Sequence, residues 1–203
     1  MQFVLWRKED IFRYCCHYLP PTPKGIYLQA PITHLPTLVS EADQREEEHI
    51  AFAAMLKTLH TEQLDRNVRE LAAYYEEKID CTACGNCCRS MMINVTREEA
   101  NVLSAHLQVS AAAFDDQYLE KGMSETMLMN TIPCHFLSNN QCTVYEHRFA
   151  GCREFPGLHL PDVQKRLFSI FMHYGRCPIV FNVVNALKLR TGFTYPDRHT
   201  KKS

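Results

Sequence analysis

Cys81-Thr-Ala-Cys84-Gly-Asn-Cys87-Cys88 is the stretch that decides how the rest of the chain is read. Four thiols within eight residues lie too close along the chain to pair with one another in unstrained disulfides, yet their spacing lets them converge on a cation or cluster. Working outward, Cys134, Cys142, Cys152 and Cys177 follow, so that eight of the ten cysteines fall within residues 81–177. In a reducing compartment such a concentration points to metal–thiolate chemistry rather than cross-linking. Met1 to Pro20 carries Arg7, Lys8, Glu9 and Asp10 where a leader would be apolar, and no small-residue cleavage site follows. No stretch approaches the roughly 18 apolar residues of a bilayer span. A soluble, cytoplasmic protein without a membrane partner is expected.

With 203 residues, 46% of them hydrophobic, the chain can bury a core without staples. The net charge is −1, and the one short basic run is the tail Arg198-His-Thr-Lys201-Lys202, so no nucleic-acid partner is expected. No G-x-G-x-x-G, P-loop, G-x-S-x-G or H-E-x-x-H occurs, which removes the readiest nucleotide, hydrolase and zincin readings. A protein partner is compatible with the sequence, but no residue identifies one.

Residues 1–40 read as an irregular, proline-rich N-terminal arm, because Pro20, Pro21, Pro23, Pro31 and Pro36 interrupt helix formation. Residues 41–78 read as N-terminal helices: Phe52, Leu56 and Leu59 recur at helical spacing, as do Leu64, Val68, Leu71, Ala72 and Tyr75. Residues 79–190 form the cysteine-cluster metal-binding domain, and 191–203 a C-terminal tail. Within the domain, Thr96-Arg-Glu-Glu99 is a capping box, Ser110 caps a helix over Phe114 to Lys121, and Asp162 caps another that ends at Gly175. Ile132 to Leu137 and Gln141 to Tyr145 flank a turn at Ser138-Asn139-Asn140, and Pro178 opens the last helix. The expected fold class is mainly α with small irregular β elements, a helical frame around a cysteine-ligated metal centre.

Two ligand sets follow from local chemistry. C-x2-C-x2-C with a distant Cys-Pro is the arrangement of ferredoxin-type cluster ligation, so Cys81, Cys84, Cys87 and Cys177 suit an iron–sulfur cluster such as [4Fe–4S]. Cys177 stands at a helix N-cap, where the dipole is expected to lower its pKa. Cys87 and Cys88 are expected to diverge and serve different sites, or one of them to stand outside the ligand shell. Cys88, Cys134, Cys142 and Cys152 then make a four-thiolate set suited to zinc. Arg89, Arg148, Arg153 and Arg176 offset thiolate charge, act as ordinary surface arginines, or form an anion pocket. His135 and His147 can each replace a thiol, and His159 and His173 can carry protons, but loop and helix-face roles are the preferred readings for all four. Cys15 and Cys16 read as small hydrophobes, and Met123 to Met129 as core filling.

These motifs resemble the YkgJ-type cysteine-cluster family, named for a zinc- or iron-chelating CxxCxxCC domain. The resemblance is carried by Ile79-Asp80-Cys81 through Arg89, Pro133-Cys134-His-Phe136-Leu137, Cys142-Thr-Val144-Tyr145-Glu146-His-Arg148, Cys152-Arg153-Glu154-Phe155-Pro156 and Cys177-Pro178. His135 and Phe149 stand where the family usually has proline. The resemblance implies metal chelation, and by family analogy an Fe–S oxidoreductase or a relation to a flagellin lysine methylase, with catalytic residues unknown. The expected function is a metal-binding cysteine-cluster protein holding an iron–sulfur cluster, zinc, or both. The alternatives are a zinc-stabilised interaction module and a metal-dependent protein-modifying enzyme.

Overall fold

Two hydrophobic clusters organise the chain, one built by long helices and the other by a small mixed α/β layer. The computed structural model describes residues 29–122 and 126–196, so Cys15, Cys16 and most of the proline-rich arm lie outside the described residues. The mainly helical class with small antiparallel β elements is as expected.

The helical frame begins earlier than the proline content suggests. Helix α1 spans Leu35–Gln44 with Pro36 in its first turn, where a missing N–H costs nothing and the fixed φ suits the helix. The chain breaks at Arg45, and α2 spans Glu46–Leu56 with Glu46, Glu47 and Glu48 at its positive end. Helix α3, Thr61–Glu76, buries Leu64, Val68, Leu71, Ala72 and Tyr75 along one stripe. It packs against the last helix, Pro178–Thr191, which is buried at nearly every position from Pro178 to Lys188 and stops at Gly192 with φ 65°. Asn182 of that helix pins the entering chain: it accepts from the Ile32 N–H at 3.0 Å and donates to the Ile32 carbonyl at 2.8 Å. Among the described residues no helix is long and apolar enough to cross a membrane.

The helix over Val163–Met172 packs on α2 and α3, but its start differs from expectation. Asp162 makes no side-chain cap and adopts φ 58° instead. The orphan N–H groups of Asp162 and Val163 are taken by the buried carboxylate of Asp65 on α3, at 2.9 and 3.0 Å. One acid from a neighbouring helix thus caps this helix and bolts it to the frame.

The second cluster surrounds Val95, Leu103, Phe114, Met129, Phe136, Val144 and Phe149. Thr96 and Glu99 form the expected capping box at the start of the helix Arg97–His106. The next helix, Ala111–Tyr118, stops short of Lys121, because Leu119–Lys121 is drawn into a sheet as the antiparallel partner of Met127–Met129. That strand also pairs with Asn94–Val95. Leu137–Ser138 and Gln141–Cys142 form the anticipated hairpin, with Leu137 opposite Cys142.

Replacing Asp65 with Ala leaves two helix N–H groups without their charged acceptor in a buried position. We expect Asp65→Ala to lower unfolding stability by about 2–3 kcal/mol, measured by urea titration. A loss below about 0.5 kcal/mol would show the contact to be incidental.

Candidate metal centre

All eight cysteines expected as ligands line one cavity of about 420 Å³ lying between the two hydrophobic clusters. All are free thiols. Cys81–Cys84 forms one helical turn whose N-cap, Asp80, accepts from the Thr82 N–H at 2.8 Å. Asn86–Ser90 forms the next turn and carries Cys87 and Cys88. Gly85 joins them at φ 58°, and a Cβ there would stand 2.8 Å from the Asn140 carbonyl oxygen. The glycine is therefore required twice, for its left-handed backbone and for the close passage of the hairpin turn.

The distant cysteines are brought in by specific bonds. Asn86 donates to the Arg176 carbonyl at 2.7 Å, which places the residue before Cys177 against the cysteine loop. The Cys134 N–H donates to the Cys88 carbonyl at 2.8 Å. Glu99, already engaged in the capping box, also accepts from the Ala150 N–H at 2.5 Å and so caps the short helix Ala150–Glu154 that carries Cys152. These three bonds join segments 46–90 residues apart, and neither Asn86 nor the second role of Glu99 has a sequence signature.

The thiols interact in a pattern. Cys177 feels Cys81 and Cys84, while Cys134, Cys142 and Cys152 each feel Cys88. Cys87 lies at the junction, within reach of Cys88, Cys152 and Cys177. Its Sγ is 4.0 Å from that of Cys88, so these neighbours do not diverge as expected. The two sulfurs share a hydrogen bond in which either can donate, and it lowers the pKa of Cys87 and raises that of Cys88. Burial pushes Cys81, Cys134 and Cys142 up, and pushes Cys152 and Cys177 up to about 12. The expected lowering at Cys177 is overturned. The backbone N–H groups of Ile179 and Val180 do favour its thiolate, but the side chain is nearly enclosed and desolvation wins.

Among the described residues no three Cys, His, Asp or Glu side chains stand close enough to ligate one ion as placed. This does not conflict with the shared cavity. Sulfurs bound tetrahedrally at 2.3 Å lie about 3.8 Å apart, and thiolates at that separation repel unless a cation lies between them. The donor set itself fits thiophilic metals such as zinc and iron. Arg148 favours the thiolate at Cys142 and Cys152, and Arg89 does so at Cys88. Arg89 also holds the loop, donating to the Cys84 carbonyl at 3.0 Å and to the Asn140 side chain. Arg153, Arg176 and His159 line the cavity as well.

His135 and His147 are engaged elsewhere. His135 bonds Asn130 at 2.7 Å and packs on Tyr118, and the ring of His147 lies 3.9 Å from that of His106. His173 sits behind the wall, 3.3 Å from an Arg176 nitrogen.

Residues 80–174 match the family model CxxCxxCC, described as "Putative zinc- or iron-chelating domain". No curated protein and no solved structure matches the chain. The matched segment ends three residues before Cys177, which reaches the cavity from the frame.

Gly85→Ala keeps every thiol but places a Cβ against the Asn140 backbone. Metal retained after purification should fall at least severalfold, with a stability loss of about 1–2 kcal/mol. Retention equal to the unaltered protein would show that the turn does not set the thiol spacing. Raised thiol pKa values also make loading proton-linked, since a metal must displace those protons. At pH 7 in weak buffer, loading should release protons in near proportion to the thiols engaged, and occupancy should fall as pH drops. Loading without proton release would contradict neutral buried thiols.

Proposed function

We propose that this chain, whose residues 80–174 belong to the CxxCxxCC zinc- or iron-chelating family, holds two four-thiolate centres that share one cavity. Cys81, Cys84, Cys87 and Cys177 hold an iron–sulfur cluster, and Cys88, Cys134, Cys142 and Cys152 hold zinc. The observation that carries this reading is that eight free thiols from five separate segments line a single cavity, with Cys177 influenced by Cys81 and Cys84, with Cys134, Cys142 and Cys152 influenced by Cys88, and with Cys87 between the two groups. The C-x2-C-x2-C run and the Cys177-Pro178 pair support iron–sulfur ligation in the first set.

A cluster in this position would supply one-electron chemistry, and zinc would supply rigidity without redox activity. The chain's own residues orient the ligands through Asn86, Glu99 and Gly85, exclude water with Phe136, Phe149 and Ile179, and place Arg89 and Arg148 against the charge. A second reading, zinc as the sole metal with Cys87 and Cys88 on one ion and a binding role without electron transfer, draws on one distance. The 4.0 Å between Cys87 and Cys88 is close to the roughly 3.8 Å edge of a single tetrahedral ion.

Metal and acid-labile sulfide per chain after anaerobic purification distinguish the readings. We expect about four iron, about four sulfide and about one zinc, with Cys84→Ser losing the iron and Cys142→Ser losing the zinc. Zinc alone would establish the second reading, and stoichiometric loss of neither metal in the variants would refute both assignments. Structural metal can contribute about 10 kcal/mol or more, so chelation should loosen residues 81–177 while part of the frame persists. Unchanged melting after complete metal removal would contradict this.

A further inference from the structure

The cavity holds more than thiols. Arg148, Arg153 and Arg176 all line it, and none has a carboxylate within ion-pair distance among the described residues. Arg148 donates to the Tyr145 carbonyl at 2.7 Å and stacks on the Tyr145 ring, 3.8 Å from its centroid. Arg153 donates to the Arg148 carbonyl, so its guanidinium lies against the Arg148 backbone, and both residues line the cavity. A guanidinium nitrogen of Arg176 lies 3.3 Å from Nδ1 of His173. A guanidinium has five N–H donors, so each arginine keeps most of its donor capacity in hand. Glu76 and Glu154 are the carboxylates on the same walls, and neither is paired with these arginines.

Thiolate charge accounts for part of this arrangement, since Arg148 already acts on Cys142 and Cys152. It does not account for every wall. The metal centres would occupy the space beside the sulfurs, and the cavity, about 420 Å³ in all and within the range of small-molecule sites, also reaches Phe155, Pro156 and His159. Phe149 and Phe155 add apolar wall beside the arginines. We propose that the cavity binds a small organic anion next to the thiol centres, its carboxylate or phosphate group held by Arg148 and Arg153 and its apolar body against Phe149 and Phe155. This rests on the metal-centre reading, because the site adjoins the ligands, and it adds a ligand class to it.

The test uses the full-length, metal-loaded protein titrated calorimetrically with benzoate and phenyl phosphate, with phenol as the uncharged control. Metal content is read on the same samples, so absence of metal counts against the metal-centre reading and absence of saturable anion binding counts against this one. Saturable binding of one or both anions over phenol is expected, weakened about tenfold or more in Arg153→Gln and largely retained in Arg153→Lys. Arg148→Gln gives the same comparison if Arg153→Gln fails to fold, as judged by circular dichroism. A preference for phenyl phosphate assigns a phosphate ligand, and a preference for benzoate a carboxylate. Equal binding of phenol, or anion binding indifferent to both Gln variants, would overturn the proposal.

Discussion

Everything in this chain depends on bringing eight sulfurs to the seam between two hydrophobic clusters. Cys177 is part of the helical core, while Cys134, Cys142 and Cys152 pack on the smaller one, and the turn 81–88 lies between them. Such a seam is costly to fill with protein alone, because thiols there are partly desolvated and their charged forms repel one another. Burial accordingly keeps most of them protonated in the protein by itself. A thiophilic cation reverses that balance by replacing protons, and on the proposed reading it joins the two clusters through bonds that neither core supplies.

The positioning devices are polar and economical. Asp65 caps a helix it does not belong to, Glu99 caps two helices at once, and Asn86 reaches a carbonyl 90 residues away. Each satisfies buried or end-of-helix backbone groups that would otherwise go unpaired, so each contributes stability and alignment together. The frame carries its own buried polar group, in which Lys188 pairs with Glu48 at 2.7 Å and Arg45 with Glu48 at 3.1 Å. His49 lies beside them with its pKa lowered to about 4 by burial, so the frame favours a neutral imidazole there.

What the sequence disclosed follows from how local each signal is. The cysteine run, the capping box at Thr96 and the hairpin at Ser138 to Asn140 are contained within a few residues, and they appear as read. The helix ends at Tyr118, three residues short of the expected Lys121, because the strand Met127–Met129 competes for Leu119–Lys121. Asp162 carried the composition of a cap, yet the cap comes from Asp65, a tertiary contact no pattern encodes. The same distinction explains the site. Thiol identity was legible, whereas the 4.0 Å approach of Cys87 and Cys88 and the upward shift at Cys177 depend on burial and packing. The arginines on the cavity wall were legible as neighbours of cysteines, with an anion pocket as one reading, whereas the lack of a carboxylate partner for Arg148, Arg153 and Arg176 among the described residues depends on packing.

The central claim is that sulfur alone, from cysteine or from the cluster's own sulfide, surrounds each metal. X-ray absorption spectroscopy at the iron and zinc edges of the anaerobically purified protein tests it most directly. The account predicts sulfur neighbours at about 2.3 Å as the complete inner coordination of each metal present. Nitrogen or oxygen neighbours in that inner coordination would contradict it and would move attention to His159 and the acidic groups of the cavity wall.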